Sequence, residues 1–353
     1  MILWSDNQTS PLSVGYGYTP DRLYDQISKS DLPIRRNDST APSEIQNLLD
    51  GFSFGYMTTS DSTDEIIINH SMPESFIESN TYSIGFTFWE TNRLPQSWVD
   101  DCNRMDEIWT TTSFMQNVFI DSGVSVPVFK FNLGVDPKIF YPVKRQIHRP
   151  FTFLSIGSPS TRKNSQMSVD AFIKLFGGNG SYKLIYKSNG PADARMVQNG
   201  MKTRLDHPQI EVIDWEVSVE ELGSIYDRSD CLLYPTSGEG WGNIPFQGIA
   251  KGIPTICTNA TACEEYAYMS VPLDYEWTTD KMTGLYYGAG SWAKPKFDDL
   301  CDKMLYVVNN YEEVSAKTFA SAQYIHQNMT WEQVSKDYIN RLCQILKDIN
   351  LKP

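Results

Sequence analysis

The feature that most constrains the fold is a regular alternation of short apolar runs and helix-forming segments between residues 151 and 258. Strands that are separated by single helices at this rhythm form a parallel, doubly wound sheet. The sequence therefore predicts an α/β domain here. The strand candidates are FTFLSIG, KLIYK, IEVIDW, CLLYP and IPTIC, and the helix candidates are SQMSVDAFIKLF, ADARMVQNGMKTRL, SVEELGSIYDRS and IPFQGIAKG.

The preceding part of the chain alternates less regularly, but it uses the same two kinds of segment. Ile2–Trp4 is a strand candidate, and the glycine loop PLSVGYGYTP leads to a helix from about Asp21. Gly123 is positioned to end a helix as its C-cap. The further strand candidates are GFSFGYMT, EIIIN, SIGFTF, EIWTT and VFKFN, with helices at SWVDDCNRM and SFMQNVFIDSG.

A length of 353 residues favours two domains, and a polar, proline-flanked boundary falls at YPVKRQIHRP. We predict one domain over residues 1–145, a second over 146–328 and a C-terminal helix over 329–353.

The composition excludes several classes of partner. The net charge of −13 argues against docking on nucleic acid or anionic lipid. No apolar run approaches the roughly 20 residues of a membrane span, and no secretory signal is evident. Six scattered cysteines are typical of reduced thiols, so we expect a cytoplasmic protein.

The stretch EGWGNIPFQ follows a strand candidate and opens a helix, which places its polar groups at the ligand-binding edge of a parallel sheet. Gly240 and Gly242 lead into a helix near Asn243, so bare N–H groups could face a phosphate. Glu239 lies before that helix and Gln247 about one turn into it. Both side chains are therefore predicted to face one ligand.

A second loop, SIGSPSTRKNSQM, follows another strand and carries Arg162 and Lys163 to the same edge. A sugar that is activated as a nucleotide diphosphate needs cations and backbone donors for its phosphates. It also needs rigid acceptors for its hydroxyl groups. The two loops together offer all of these groups, so they predict a nucleotide-sugar site.

These segments resemble the GT-B glycosyltransferases of family 4. The resemblance lies in GSPSTRKNSQMSVDAF, YKLIYKSNG, the run from YDRSDCLLYP to ATACEEY, LGVDPKIFYP and the N-terminal run from GFTFWETNRLP to IDSGV. It implies two Rossmann-like domains that face each other across a cleft, with the C-terminal helix crossing back to the first. It also implies a retaining hexosyltransferase that needs no metal and no cofactor. The donor is then a UDP- or GDP-sugar, and the acceptor is a hydroxyl group of a glycan.

Carried over by position, Glu239 matches the first acid of the family's Glu-X7-Glu signature, which contacts hydroxyls of the donor sugar. Arg162 and Lys163 match the basic pair that neutralises the diphosphate in place of a metal. Gln247 stands where the family usually has its second glutamate, the ribose ligand. A carboxamide still accepts and donates hydrogen bonds but lacks the strength of a charged acceptor.

Further donor-side residues come from the same resemblance. Lys187 corresponds to a basic residue at a strand end near the nucleotide, and Gly15 and Gly17 correspond to the N-terminal glycine loop near the donor phosphates. Trp241 lies within the stretch EGWGNIPFQ and is expected to pack beneath this loop rather than to stack on the ligand.

On the acceptor side, Glu90 follows the strand candidate SIGFTF and should lie at the cleft edge. It contacts the acceptor in one interpretation and forms a salt bridge with Arg93 or Arg104 in the other. His70 follows an apolar run and either faces the acceptor or has a structural role.

Two other functions remain open at this stage. The Gln247 replacement is compatible with a non-catalytic subunit that binds nucleotide sugars. The GT-B architecture also serves glycosyltransferases that act on modified DNA bases, although the acidic charge of this chain argues against that substrate.

Overall fold

The computed structural model describes residues 1–6, 15–36, 64–188 and 205–350, and for residues 15–17 it describes the backbone alone. Three predicted segments therefore lie wholly or mostly outside the described residues. They are the start of the glycine loop, the strand candidate GFSFGYMT and the helix candidate ADARMVQNGMKTRL.

The first sheet consists of six parallel strands in the order β2-β1-β3-β4-β5-β6. The four central strands β1, β3, β4 and β5 are almost entirely buried, and in β3 all five residues are buried. Parallel strands that are covered on both faces carry such continuous apolar runs. The strands are β1 (Ile2–Asp6), β2 (Ile34–Arg36), β3 (Ile66–His70), β4 (Tyr82–Phe86), β5 (Glu107–Thr110) and β6 (Val128–Lys130).

In the part of the chain that the structure describes, three helices accompany this sheet, namely α1 (Gly15–Ile27), α2 (Gln96–Cys102) and α3 (Ser113–Ser122). At the start of α3, the Thr112 side chain accepts a hydrogen bond from the Met115 N–H, and Gly123 ends the helix with a φ of 111°. The predicted C-cap at Gly123 is confirmed. The predicted start of α1 near Asp21 is wrong, because the described helix already includes Gly15 and Gly17. Tertiary packing outweighs the low helix propensity of glycine here, since Tyr18 packs edge-on against Trp331.

The second sheet also has six parallel strands, in the order β12-β11-β10-β7-β8-β9. The alternation in the sequence located five of them. The strands are β7 (Phe151–Ile156), β8 (Tyr182–Lys187), β9 (Ile210–Ile213), β10 (Cys231–Tyr234), β11 (Thr255–Thr258) and β12 (Val271–Leu273).

The described helices of this half are α4 (Ser165–Phe176), α5 (Val219–Asp227), α6 (Asn243–Ala250), α7 (Phe297–Asn309) and α8 (Tyr311–Asn328). Ser218 and Glu221 form a capping box at the start of α5, which fixes where that helix begins. The doubly wound α/β architecture that the alternation predicts is confirmed.

The last described helix, α9 (Trp331–Asn350), returns to the first sheet. The Tyr338 hydroxyl donates to the Phe131 carbonyl at 3.1 Å, and the Arg341 guanidinium pairs with the buried carboxylate of Glu107 in β5. The predicted crossing of the C-terminal helix is therefore confirmed.

An antiparallel hairpin that the sequence analysis did not anticipate follows β12. Its strands are β13 (Tyr275–Thr278) and β14 (Trp292–Pro295), and they form a separate two-stranded sheet. The loop between them reaches the first half of the molecule, where Ser291 N–H donates to the Asn92 side chain at 2.7 Å. Among the helices that the structure describes, none has the length and apolar character to cross a membrane.

Candidate active site

A cavity of about 620 Å³ opens between the two sheets, and both halves of the molecule line it. Cavities of this size accommodate small-molecule ligands. The part of the wall with charged and aromatic side chains includes Tyr18, Phe88 and Glu90 from the first half and Arg162, Lys163 and Glu239 from the second.

Two neighbouring strands deliver the charged groups of the second half to this cavity. Arg162 and Lys163 follow β7, Glu239 follows β10, and these strands are paired in the sheet. The loop after β7 and the loop after β10 are hydrogen-bonded to each other. Ser237 N–H donates to the Arg162 carbonyl at 2.7 Å, and the Asn164 amide donates to Ser237 Oγ at 2.7 Å. Their side chains are thus held close together at the carboxyl edge of the sheet.

Glu239 and Lys163 form the tightest ion pair of the cavity. Lys163 Nζ lies 2.6 and 2.8 Å from the two carboxylate oxygens of Glu239 and 2.8 Å from the Tyr234 hydroxyl. Thr236 Oγ1 donates to the same carboxylate at 2.7 Å, and the Glu239 N–H donates to Thr261 Oγ1 at 3.1 Å. These contacts hold the Glu239 carboxylate in one position.

Arg162 links this pair to the first half of the molecule. Its Nη1 donates to the Gly238 carbonyl at 2.5 Å and lies 3.5 Å from Glu239 Oε1. Its Nη2 lies 3.8 Å from Glu90 Oε1. Two cations and two carboxylates thus alternate along the base of the cleft.

The pKa shifts of these groups follow from burial and from their charged neighbours. Burial would raise the pKa of Glu239, but Lys163 and Arg162 outweigh that effect and lower it. Burial would lower the pKa of Arg162, but the carboxylates of Glu90 and Glu239 outweigh that effect and raise it. Burial and the Arg162 charge lower the pKa of Lys163, while Glu239 opposes the decrease. The favoured state is an ionised Glu239 between two cations.

The glycines of the loop between β10 and α6 are required by close contacts across the cleft. A Cβ atom on Gly238 would lie 2.1 Å from the Glu90 carbonyl oxygen, and one on Gly240 would lie 2.6 Å from Phe88 Cβ. Thr111 Oγ1 donates to the Gly240 carbonyl at 2.5 Å. The loop therefore touches the first half of the molecule along its backbone, where no side chain would fit.

Gly242 has a φ of 82° and precedes α6, which begins at Asn243 as the sequence predicted. The residues Gly240, Trp241, Gly242, Asn243 and Gln247 all line the cavity. The Trp241 ring packs against Phe246 and Tyr266 and is 3% exposed, consistent with a packing role beneath the loop.

Gln247 lies one turn into α6 with 5% of its surface exposed. Its carboxamide oxygen lies 3.5 Å from the Tyr226 hydroxyl, which donates to the Ile244 carbonyl at 2.8 Å. The side chain is thus on the cavity wall, one helical turn beyond the glycines.

Lys187 also lines the cavity at the end of β8, and its ammonium group donates to the Ser188 carbonyl. Burial lowers the pKa of Lys187, whereas Asp214 and Glu216 act to raise it. Gly15 and Gly17 form the first described turn of α1, directly before the cavity-lining Tyr18 and Thr19. Their predicted contact with the donor phosphates stays a prediction.

The two residues that the sequence analysis considered for the acceptor side, Glu90 and His70, have different environments. Glu90 lines the cavity as expected, but neither Arg93 nor Arg104 is its salt-bridge partner, because Arg162 from the opposite half approaches it instead. Arg104 pairs with Glu78 and Asp101.

His70 ends β3 with 0% exposure, surrounded by the rings of Trp4, Phe86 and Phe88. Burial lowers the pKa of His70 to about 3, so its imidazole is neutral at pH 7. This environment favours the structural interpretation of His70 over the acceptor contact.

Four residues of the site were missed by the sequence analysis. Tyr234, Thr236 and Thr261 fix the Glu239 side chain and its backbone, and Tyr286 donates from its hydroxyl to Glu90 Oε2 at 3.0 Å. Tyr234 and Thr236 lie at the end of β10, so the strand-end rule could have identified them. Tyr286 has no such local signal, because it reaches the cavity on the unpredicted hairpin loop.

A family model matches part of the second half of the chain. Residues 150–280 match the family model described as glycosyl transferases group 1. No curated protein sequence matches the chain.

Solved structures resemble the whole fold at low sequence identity. Sucrose-phosphate synthase from Thermosynechococcus elongatus is 10% identical with a TM-score of 0.69, and the match covers 98% of this chain and 99% of that one. HepE of Anabaena, solved in complex with UDP, is 11% identical with a TM-score of 0.68 and coverages of 97% and 99%.

The pneumococcal O-GlcNAc transferase GtfA, solved in complex with UDP and GlcNAc, is 12% identical with a TM-score of 0.58. That match covers 80% of this chain but only 57% of GtfA, so this chain spans little more than half of that protein. The predicted GT-B architecture is confirmed by these comparisons together with the two parallel sheets.

Proposed function

From the premise that the chain has the GT-B fold of glycosyltransferases, with a group 1 match in its second half, we propose that it is a retaining hexosyltransferase. It moves a hexose from a nucleotide diphosphate sugar, UDP- or GDP-linked, to a hydroxyl group of a glycan acceptor. HepE and GtfA were solved with UDP, which supports UDP as the first donor base to test.

The observation that carries the proposal is the convergence of Arg162, Lys163 and Glu239 on one inter-domain cavity. Two cations at the ends of adjacent parallel strands provide charge for a diphosphate, and the N-terminus of α6 adds backbone donors. The carboxylate beside them is suited to accept hydrogen bonds from sugar hydroxyls.

In the proposed reaction, the bond between the anomeric carbon and the diphosphate oxygen breaks, and its electron pair stays on the phosphate. Arg162 and Lys163 stabilise that developing charge because they are already oriented in a partly buried cleft. The acceptor oxygen attacks from the same face, and its proton passes to the departing phosphate. No protein nucleophile, metal or cofactor enters this scheme.

The first experiment is a binding and hydrolysis assay with the full chain. Isothermal titration with UDP, GDP and ADP should show selective binding of one nucleotide, and the matching sugar nucleotide should be hydrolysed slowly, with or without EDTA. Lys163→Ala should weaken nucleotide binding by about tenfold to a hundredfold, since a charge-assisted contact contributes roughly 1.5–3 kcal/mol.

Lys174→Ala is the matched control, because Lys174 is an exposed residue of α4 that pairs with Asp298. It should bind nucleotides like the unmodified protein. Absence of nucleotide binding and of donor hydrolysis across the whole panel would contradict the proposed function, and full loss of activity in EDTA would contradict its metal independence.

A second candidate function rests on Gln247, the carboxamide at the expected position of a carboxylate. If the protein is a non-catalytic nucleotide-sugar subunit, the unmodified chain should bind nucleotide without hydrolysing or transferring the sugar. Gln247→Glu should then create activity, because a charged acceptor restores the stronger hydrogen bonds to ribose. Turnover by the unmodified chain would exclude this candidate.

A third candidate, a glycosyltransferase that acts on modified DNA bases, has less support, because the acidic charge of the chain argues against a nucleic-acid acceptor. A glucosylation assay on hydroxymethylated DNA would detect such an activity.

A further inference from the structure

The charges at the base of the cleft are balanced before any ligand binds. Arg162 faces both Glu239 and Glu90, and Lys163 faces Glu239. The side chains of all four residues are at most 21% exposed. A diphosphate that enters the cavity must therefore compete with these carboxylates for the two cations.

The two carboxylate oxygens of Glu90 are held in different ways. Oε2 accepts a hydrogen bond from the Tyr286 hydroxyl at 3.0 Å, whereas Oε1 lies 3.8 Å from Arg162 Nη2. An incoming anion attracts the guanidinium of Arg162 but has no such effect on a neutral hydroxyl. Donor binding should therefore release Glu90 Oε1 from Arg162 and leave Glu90 Oε2 hydrogen-bonded to Tyr286.

Tyr286 is well suited to keep Glu90 in place, because the loop that carries Tyr286 is hydrogen-bonded to the segment that carries Glu90. Thr91 Oγ1 donates to the Ala289 carbonyl at 2.7 Å, and Asn92 N–H donates to the Ser291 carbonyl at 3.1 Å. The Tyr286 ring also packs against Trp89, with ring centroids 5.3 Å apart. The hydroxyl of Tyr286 and the carboxylate of Glu90 are thus fixed relative to each other.

We propose, on the basis of the proposed function, that Glu90 receives the attacking hydroxyl of the acceptor after the donor diphosphate has withdrawn Arg162 from it. Oε1 then accepts the hydrogen bond of that hydroxyl, and Tyr286 is a positioning residue that orients the carboxylate. The proton itself passes to the departing phosphate, so Glu90 ends the reaction as it began. The arrangement makes donor binding precede productive acceptor binding.

The test compares UDP and GDP binding by the full chain and by Glu90→Gln, using titration calorimetry. Glu90→Gln should bind the preferred nucleotide about tenfold more tightly, since it removes the carboxylate that competes for Arg162. Tyr286→Phe should bind it within about twofold of the unmodified chain, because the lost hydroxyl contacts Glu90 and not the cations. Glu78→Gln is the control, since Glu78 is 64% exposed and pairs with Arg104.

Hydrolysis of the sugar nucleotide, with water as the acceptor, provides the second measurement. At saturating donor, both Glu90→Gln and Tyr286→Phe should turn over more slowly than the unmodified chain, by about a hundredfold and tenfold respectively, because the attacking oxygen is then less well oriented. Tighter binding combined with slower turnover distinguishes this role from simple stabilisation of the cleft, which would weaken binding. Unchanged or weaker nucleotide binding by Glu90→Gln would overturn the inference while leaving the proposed function intact. Absence of nucleotide binding by the unmodified chain would remove both.

Discussion

At the residue scale, His70 shows how a polar side chain can be part of a core rather than of a site. Its imidazole is enclosed by aromatic rings, and burial lowers its pKa from the ordinary value of 6.5 to about 3. Between these two pH values the unfolded chain binds a proton that the folded chain does not bind. The free energy of unfolding therefore decreases as the pH falls below 6.5.

This linkage predicts that His70→Phe has a flatter pH profile of stability than the unmodified chain. Between pH 6.5 and 4.5 the histidine should account for about 2–3 kcal/mol of lost stability, which the variant should not lose. Urea unfolding across that range measures the difference. The same comparison at pH 8, where the imidazole is neutral in both states, isolates the packing change. Parallel profiles below pH 6.5 would show that the folded protein protonates His70 as readily as the unfolded chain does.

At the element scale, the sequence predicted what depends on local pattern. Five strands of the second sheet, the C-cap at Gly123 and the start of α6 at Asn243 follow from periodicity and glycine placement. The strand-end rule also predicted that Arg162 and Glu239 lie at one edge of the sheet, where the structure places them 3.5 Å apart. Each of these predictions, including the strand-end positions of Arg162 and Glu239, depends on a short local segment of the chain.

The features that the sequence did not reveal depend on contacts between distant segments. The part of α1 before Asp21 packs against a distant segment through Tyr18 and Trp331, and the hairpin β13–β14 consists of short, partly exposed strands with no strong alternation. The partner of Glu90 could not be predicted for the same reason. Arg93 and Arg104 are near Glu90 in sequence, whereas Arg162 approaches it only once the two sheets face each other.

At the scale of the whole molecule, α9 connects the end of the chain to the first sheet. Arg341 reaches Glu107, whose carboxylate is 0% exposed and also accepts from the Trp109 indole at 2.6 Å and the Tyr82 hydroxyl at 2.8 Å. Removal of one partner of a buried ion pair leaves an uncompensated charge. Arg341 thus couples the C-terminal helix to the stability of the first domain.

We therefore expect Arg341→Ala to lower the free energy of unfolding by about 3 kcal/mol, the low end for such pairs because the Arg341 side chain is 23% exposed. Urea denaturation measures the loss. Arg228→Ala is the matched control, since Arg228 pairs with Glu211 at a more exposed position and should cost less than about 1 kcal/mol. Adding Glu107→Gln to Arg341→Ala should recover part of the loss, because the carboxamide oxygen still accepts from the Trp109 indole, its NH2 group donates to the Tyr82 hydroxyl, and no buried charge is left. A double variant as unstable as the single one would mean that α9 is held by its apolar face alone.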